Sequence, residues 1–93
     1  MGVVAGVDFG TQSVRVSIVD SVRGVIGHGV SEYPVRRDQS DPDFATQSHT
    51  DHMRSLVDAM RVALGDCGVP GRDVRAIALD TTGSTVIPVG ERL

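Results

Sequence analysis

Two short stretches gather the residue types that handle phosphate, metal and polyol. The first runs Asp8-Phe9-Gly10-Thr11-Gln12-Ser13, with Arg15 two positions on. The second runs Asp80-Thr81-Thr82-Gly83-Ser84-Thr85. In each, an acid closes an apolar run and a turn of glycine and hydroxyls follows. Gly10 lets the backbone approach a ligand closely, and successive N–H groups with the Thr11 and Ser13 hydroxyls can point at anionic oxygens. Asp8 repels a bare phosphate but suits one that carries a divalent cation. Mg²⁺ commonly binds through one carboxylate, waters and substrate phosphates. Arg15 shares a strand face with Ser13 and can reach the same anion. The stretch is not a Walker A loop, because it has no Gly-Lys-Ser/Thr and no helix follows it. The alternative is a plain tight turn with a capping aspartate. The second turn also has two readings. Its hydroxyls can serve a polyol for which Gly83 makes room, or they can satisfy their own backbone as a Ser/Thr turn.

Other polar groups carry less. His49 and His52 are three apart with no glutamate between them, so the zincin spacing fails, and a solvated helix start is the expectation. Cys67 sits at a helix end without a basic neighbour in sequence and reads as a packed or solvated thiol. Asp38 to Asp43 reads as an exposed acidic loop.

The elements that position the two turns follow from periodicity. Val3 to Phe9 is a short apolar run bounded by glycines, the pattern of a buried strand. Ser13 to Asp20 alternates apolar and polar and reads as a half-buried strand. Asp20 to Gly24 is a turn. Val25 to Tyr33 is a third strand, placed at an edge and weakened by Gly27 and Gly29. Pro34 to Gln47 is polar, holds two prolines and lacks periodicity, so it reads as a loop. Ser48 opens a helix with a capping-box-like start, Asp51 standing where Glu or Gln is usual. Met53, Leu56, Val57, Met60 and Leu64 form its apolar stripe, with Arg54, Asp58 and Arg61 away from it. Glycines after the helix suit its C-terminal cap. Val74 to Leu79 reads as a second buried strand ending in Asp80, and Val86 to Val89 as a fifth strand. If the first and fourth strands pair in parallel, both acid-tipped turns open into one cleft, where ligands of open α/β sheets collect.

The totals bound the possibilities. The chain of 93 residues fits one small domain, and its net charge of −3 supplies no basic field for nucleic acid. With 40% hydrophobic but only 3% aromatic residues, the core must come from Val, Ile, Leu, Ala and Met. A single cysteine excludes an intrachain disulfide and suits a reducing cytoplasm. The start lacks a secretion-signal pattern, and no apolar run can span a bilayer, so no membrane partner is expected. "VIPVGERL" stops as a turn begins, which reads as a segment of something longer; the sequence leaves a homo-oligomer open.

"GVDFGTQSVRVSIVD" resembles the first phosphate motif of the FGGY carbohydrate kinases, and "VRAIALDTTGSTVIPV" resembles their matching second segment. Within that family the second turn is most like the L-ribulokinase pattern. The resemblance covers nearly all of residues 1–93, but only the start of such an enzyme. It implies an α/β, ribonuclease-H-like fold of the actin and sugar-kinase superfamily: the β-β-β-α-β start of an N-terminal lobe, with a mixed sheet. It implies ATP and Mg²⁺ as cofactors, a small-molecule sugar (L-ribulose first) as substrate, and the remainder of the kinase chain as partner. By position, Asp8 matches the acid near Mg²⁺ and the γ-phosphate. Gly10 and Thr11 match the turn around the transferred phosphate, and Arg15 a family arginine near the nucleotide phosphates. Gln12 and Ser13 fall where the family often has hydroxyl residues contacting ATP; Gln12 departs from that. Thr82, Gly83 and Ser84 fall in the sugar-contacting turn. The family's general base lies far downstream, so neither Asp8 nor Asp80 takes that role, and residues 1–93 alone are expected to be inactive. Other sugars (D-ribulose, xylulose, another polyol) and a non-catalytic sugar- or ATP-binding protein of the same fold are the alternatives.

Overall fold

The computed structural model describes residues 2–33, 36–38, 41–46 and 49–81. Strands β1 (Val3–Phe9), β2 (Ser13–Asp20) and β3 (Gly24–Glu32) form a meander, as their alternation requires. Two short strands follow, β4 (Arg36–Asp38) and β5 (Asp41–Thr46). Helix α1 spans His49–Cys67, a 3₁₀ turn Gly71–Asp73, and strand β6 Val74–Thr81. The main sheet has the order β3-β2-β1-β6. The β1–β2 and β2–β3 pairs are antiparallel, and β1–β6 is parallel, so the sheet is mixed. The expected edge place of β3 and the parallel partnership of the first strand with the one after the helix both hold.

One face of the sheet is covered by α1. Val3, Ala5 and Val7 from β1 and Val14, Val16 and Ile18 from β2 are buried against Ala59 and Ala63 of the helix. Full burial of a Val or Ile side chain contributes about 1.5–3 kcal/mol, so these alternate strand residues dominate the core. The other face is open. It carries Asp8 and Gly6 on β1, with Arg15 and Ser17 opposite them on β2.

Four expectations need correction. Pro34 to Gln47 is not a simple loop, because β4 and β5 pair antiparallel within it, Arg36 with Thr46 and Arg37 with Ala45. A backbone pairing of this kind needs no apolar alternation, so the polar sequence hid it. The helix also sits in a different phase. Its buried residues are Asp51, His52, Ser55, Ala59 and Ala63, while Met53 and Val57 are exposed. The cause lies in β3. A Cβ added at Gly29 would come 2.1 Å from the Ala59 carbonyl oxygen, and one at Gly27 2.5 Å from that of Ala63. The two glycines let the helix backbone close on the strand, and small residues, Ala59, Ala63 and Cys67, occupy that line. Leu56, Met60 and Leu64 then pack beside it as partly buried flanks. So the glycines that looked like strand weaknesses are the docking seam for α1.

The third correction is the start of α1, which is solvated only in part: His49 and Thr50 are exposed, but Asp51 and His52 are buried. The fourth is β6, which is exposed and not buried and stands at the sheet edge among the described residues, with Ile77 and Leu79 left more than half exposed. Its place beyond β1 lies outside the cover that α1 gives to β2 and β3. At its other end the helix closes as expected. Gly68, at φ +69°, donates its N–H to the Leu64 carbonyl at 2.8 Å, a left-handed cap that side-chain-bearing residues disfavour. Ser48 and Val86 to Val89 lie outside the described residues.

Candidate functional site

The site grows from the C-terminal ends of β1 and β6. Parallel pairing in register sets Asp8 beside Asp80 and Gly6 beside Ala78. Antiparallel pairing sets Asp8 across from Arg15 and Gly6 across from Ser17. Partners in register share a face, so Asp8, Arg15 and Asp80 meet on the open side of the sheet. Both acids and the arginine are exposed. A groove of about 360 Å³ runs between them, lined by Gly6, Asp8, Arg15, Ser17, Ala78 and Asp80 among others. Gly6 and Ala78, with little or no side chain, leave room at its floor.

Above the groove the chain turns. The Gly10 N–H donates to the Ser13 carbonyl at 2.9 Å, closing the bend between β1 and β2. A Cβ at Gly10 would lie 3.2 Å from that same carbonyl, so a side chain is disfavoured where the turn is tightest. Thr11 and Gln12 form the exposed tip, and Ser13 is half-buried at the start of β2. The sequence expectation of a turn here holds, with one refinement. The Gly10 amide is committed to the hairpin, so an anion would meet the tip beyond it.

The turn is strapped from behind by Tyr33, a residue the sequence reading passed over. Its N–H donates to the Gln12 carbonyl at 3.1 Å. Its hydroxyl donates to the Gly10 carbonyl. Tyr33 is 5% exposed. Burial first, and then the Asp8 charge, push its hydroxyl above the ordinary value of 10.0. The signal was present in the sequence: in a chain with one tyrosine and two phenylalanines, an aromatic residue just after an edge strand has a packing reason.

The electrostatics of the groove are simple. Two carboxylates lie side by side with one guanidinium across from them. Among the described residues the ion pairs are Arg23 with Asp20 at 3.9 Å and Arg54 with Asp51 at 4.0 Å, and Arg15 is in neither. Mg²⁺ usually keeps several waters and takes one or two carboxylates plus substrate phosphates. The adjacent Asp8 and Asp80, with a glycine-shaped turn above them, fit that donor set. Thr82, Gly83 and Ser84 lie outside the described residues. No described helix is long and apolar enough to cross a membrane.

No protein-family model matches the chain. Several named relatives do. A ribulokinase of Geobacillus thermodenitrificans is 33% identical across 92% of this chain, and a D-ribulokinase of Saccharomyces cerevisiae is 32% identical across 88%. A glycerol kinase of Agrobacterium fabrum is 31% identical across 92%. The chain spans only 17%, 11% and 17% of those three proteins. In structure it matches a xyloylose kinase from Brucella ovis with a TM-score of 0.59 and 21% identity, over 68% of this chain and 13% of that one. That likeness establishes the fold as the one the sugar kinase uses. The acid-tipped parallel strands, the hairpin that follows the first of them and the relatives agree: residues 1–93 are a segment of the FGGY carbohydrate-kinase family, from the N-terminal lobe.

Proposed function

We propose that this chain is the first part of a longer kinase that phosphorylates a ketopentose, with L-ribulose as the leading substrate. The segment supplies the phosphate-binding turn and part of the sugar site. The observation that carries the reading is the in-register pair Asp8 and Asp80 at parallel strand ends, beneath the Gly10–Ser13 turn. Two adjacent acids beside an anion-shaped bend make sense when a cation and a polyphosphate share the place. The relatives' names add the carbohydrate.

In this reading the tip of the turn, Thr11 and Gln12 with the Thr11 and Ser13 hydroxyls, receives the terminal phosphates of ATP, and Gly10, whose own amide closes the bend, leaves room for them to approach. Arg15 offsets their charge from the facing strand. Asp8 holds Mg²⁺ directly or through water, and Thr82, Gly83 and Ser84 approach the sugar. When bound, Mg²⁺ supplies charge neutralisation on the transferred phosphoryl group. Such transfers depend on positioning and electrostatics more than on covalent chemistry. The base that accepts the sugar's hydroxyl proton belongs to the rest of the chain, so Asp8 and Asp80 are not asked to do it. A second reading has its own support. The yeast D-ribulokinase is as similar as the bacterial ribulokinases, which favours D-ribulose as the competing substrate.

The test is sugar-dependent ADP release by the full-length protein with L-ribulose, D-ribulose, D-xylulose and glycerol. Highest kcat/KM on L-ribulose, with a loss on the order of a hundredfold or more in Asp8→Ala, is the expected result. Turnover that is highest on another sugar would move the substrate assignment. Unchanged turnover in Asp8→Ala would remove the acid from the reaction.

A further inference from the structure

We propose that Tyr33 is a positioning residue for nucleotide binding: it holds the Gly10–Ser13 turn in its anion-receiving shape from the side away from the ligand. This rests on the reading of that turn as the phosphate site.

The argument starts from the two bonds Tyr33 makes. Its backbone N–H binds the Gln12 carbonyl, and its hydroxyl binds the Gly10 carbonyl. One residue therefore fixes carbonyls two positions apart in the same bend. With those carbonyls turned toward Tyr33, the peptide groups at the tip have their oxygens directed away from an anion's side of the turn. A carbonyl free to rotate could instead point its oxygen at a phosphate and repel it. The hydroxyl bond is thus a constraint on which end of the peptide dipole the ligand meets.

Tyr33 is in turn held by the helix. Its ring meets the His52 ring edge-on, with centroids 4.5 Å apart and planes at 70°. Both rings are buried. One helical turn on, the Ser55 hydroxyl donates to the Glu32 carbonyl at 3.3 Å, tying the end of β3 to α1. The line of support runs from the first turns of α1, through Glu32 and Tyr33, to the bend. It gives a reason for two of the polar residues on the buried face near the helix start: His52 and Ser55 grip the strap. A strap of this kind touches neither nucleotide nor sugar. Its effect is felt through the geometry of Gly10 and Gln12.

Tyr33→Phe tests it in the full-length protein, because the ring and its packing on His52 are kept and only the hydroxyl bond is lost. Loss of one such bond is expected to weaken binding of Mg·AMP-PNP, measured by calorimetry, by about fivefold to tenfold. KM for MgATP should rise by a similar factor while KM for the sugar and the melting temperature of the unliganded protein stay near wild type. An unchanged affinity for Mg·AMP-PNP overturns the inference. So does a parallel rise of both KM values with a lowered melting temperature, which marks a merely structural tyrosine. Asp8→Ala, run alongside, separates the two levels. If it weakens Mg·AMP-PNP binding and Tyr33→Phe does not, the turn reading stands and the strap fails. If neither variant changes binding, both fail.

Discussion

An added methyl group at Gly29 would sit 2.1 Å from the Ala59 carbonyl oxygen and 2.7 Å from the Ala63 amide nitrogen, both backbone atoms that cannot swing aside. Gly29→Ala is therefore expected to destabilise the protein by about 2–3 kcal/mol, read as a lowered urea midpoint, because overpacking forces the helix off the strand. Gly65 is the counterexample in the helix itself, with nothing within 4 Å of its added Cβ. Gly65→Ala should raise stability by about 0.5–1 kcal/mol through helix propensity alone. Asp20 gives a third test at this scale. Its carboxylate accepts the Val22 and Arg23 N–H groups at 2.8 and 3.0 Å. Those bonds, that of Val22 first, hold its pKa below the ordinary 3.8. A folded-state pKa that is depressed gives stability present above the unfolded value and lost as pH falls through the folded one. Asp20→Asn should thus flatten the part of the acid-unfolding curve that lies below about pH 4, since an amide does not titrate there.

At the scale of elements, the first turn of α1 carries a second pH dependence. Burial lowers the pKa of His52 below 6.5; nearby His49 adds to this and Asp51 opposes it. The unfolded chain then takes up the proton more readily than the folded one. The contribution of His52 is fully present above about pH 6.5 and fades as pH falls through its lower folded value. Replacing the histidine by phenylalanine, which keeps a ring against Tyr33, should remove that component from a plot of melting temperature between pH 7 and 5. Elements were also where the sequence was most and least informative. The three meander strands and the helix were legible from alternation and 3.6-residue spacing, and the parallel meeting of Asp8 with Asp80, which their order raised only as a condition, is met. The phase of α1 was not legible. Alanines, a serine and a histidine carry little hydrophobic signal, and the reason for burying them sits in two glycines on another strand. The β4–β5 pair was hidden because backbone hydrogen bonds leave no trace in side-chain polarity. The bend at Gly10–Ser13 was readable as a turn, while its strap was not, because Tyr33 reaches it through folding and not through spacing.

At the scale of the whole molecule, α1 covers only part of its side of the sheet. A second groove of about 370 Å³ lies between helix and β6, lined by Met60, Leu64, Val74 and Ile77 among others. Leu79 is 66% exposed on the same side of β6. Exposed apolar surface on an edge strand invites pairing with another copy. Residues 1–93 expressed alone are expected to self-associate in sedimentation velocity at micromolar concentration, and Ile77→Lys with Leu79→Glu should shift the population toward monomer. A wild-type segment that sediments as a monomer throughout would contradict this. The parallel seam has a further consequence, in time. A ribosome delivers β1, the bend and Tyr33 early, and these can close on one another through local hairpins. Asp80 arrives only after the helix, since β1 takes β6 as its neighbour across most of the chain. Long-range parallel pairing is slow compared with hairpin closure. The nascent protein thus possesses its anion-shaped bend before it possesses the second acid. Any product whose synthesis stalls before β6 displays the bend without the acid pair, and so lacks one of the two carboxylates assigned here to the shared cation and nucleotide.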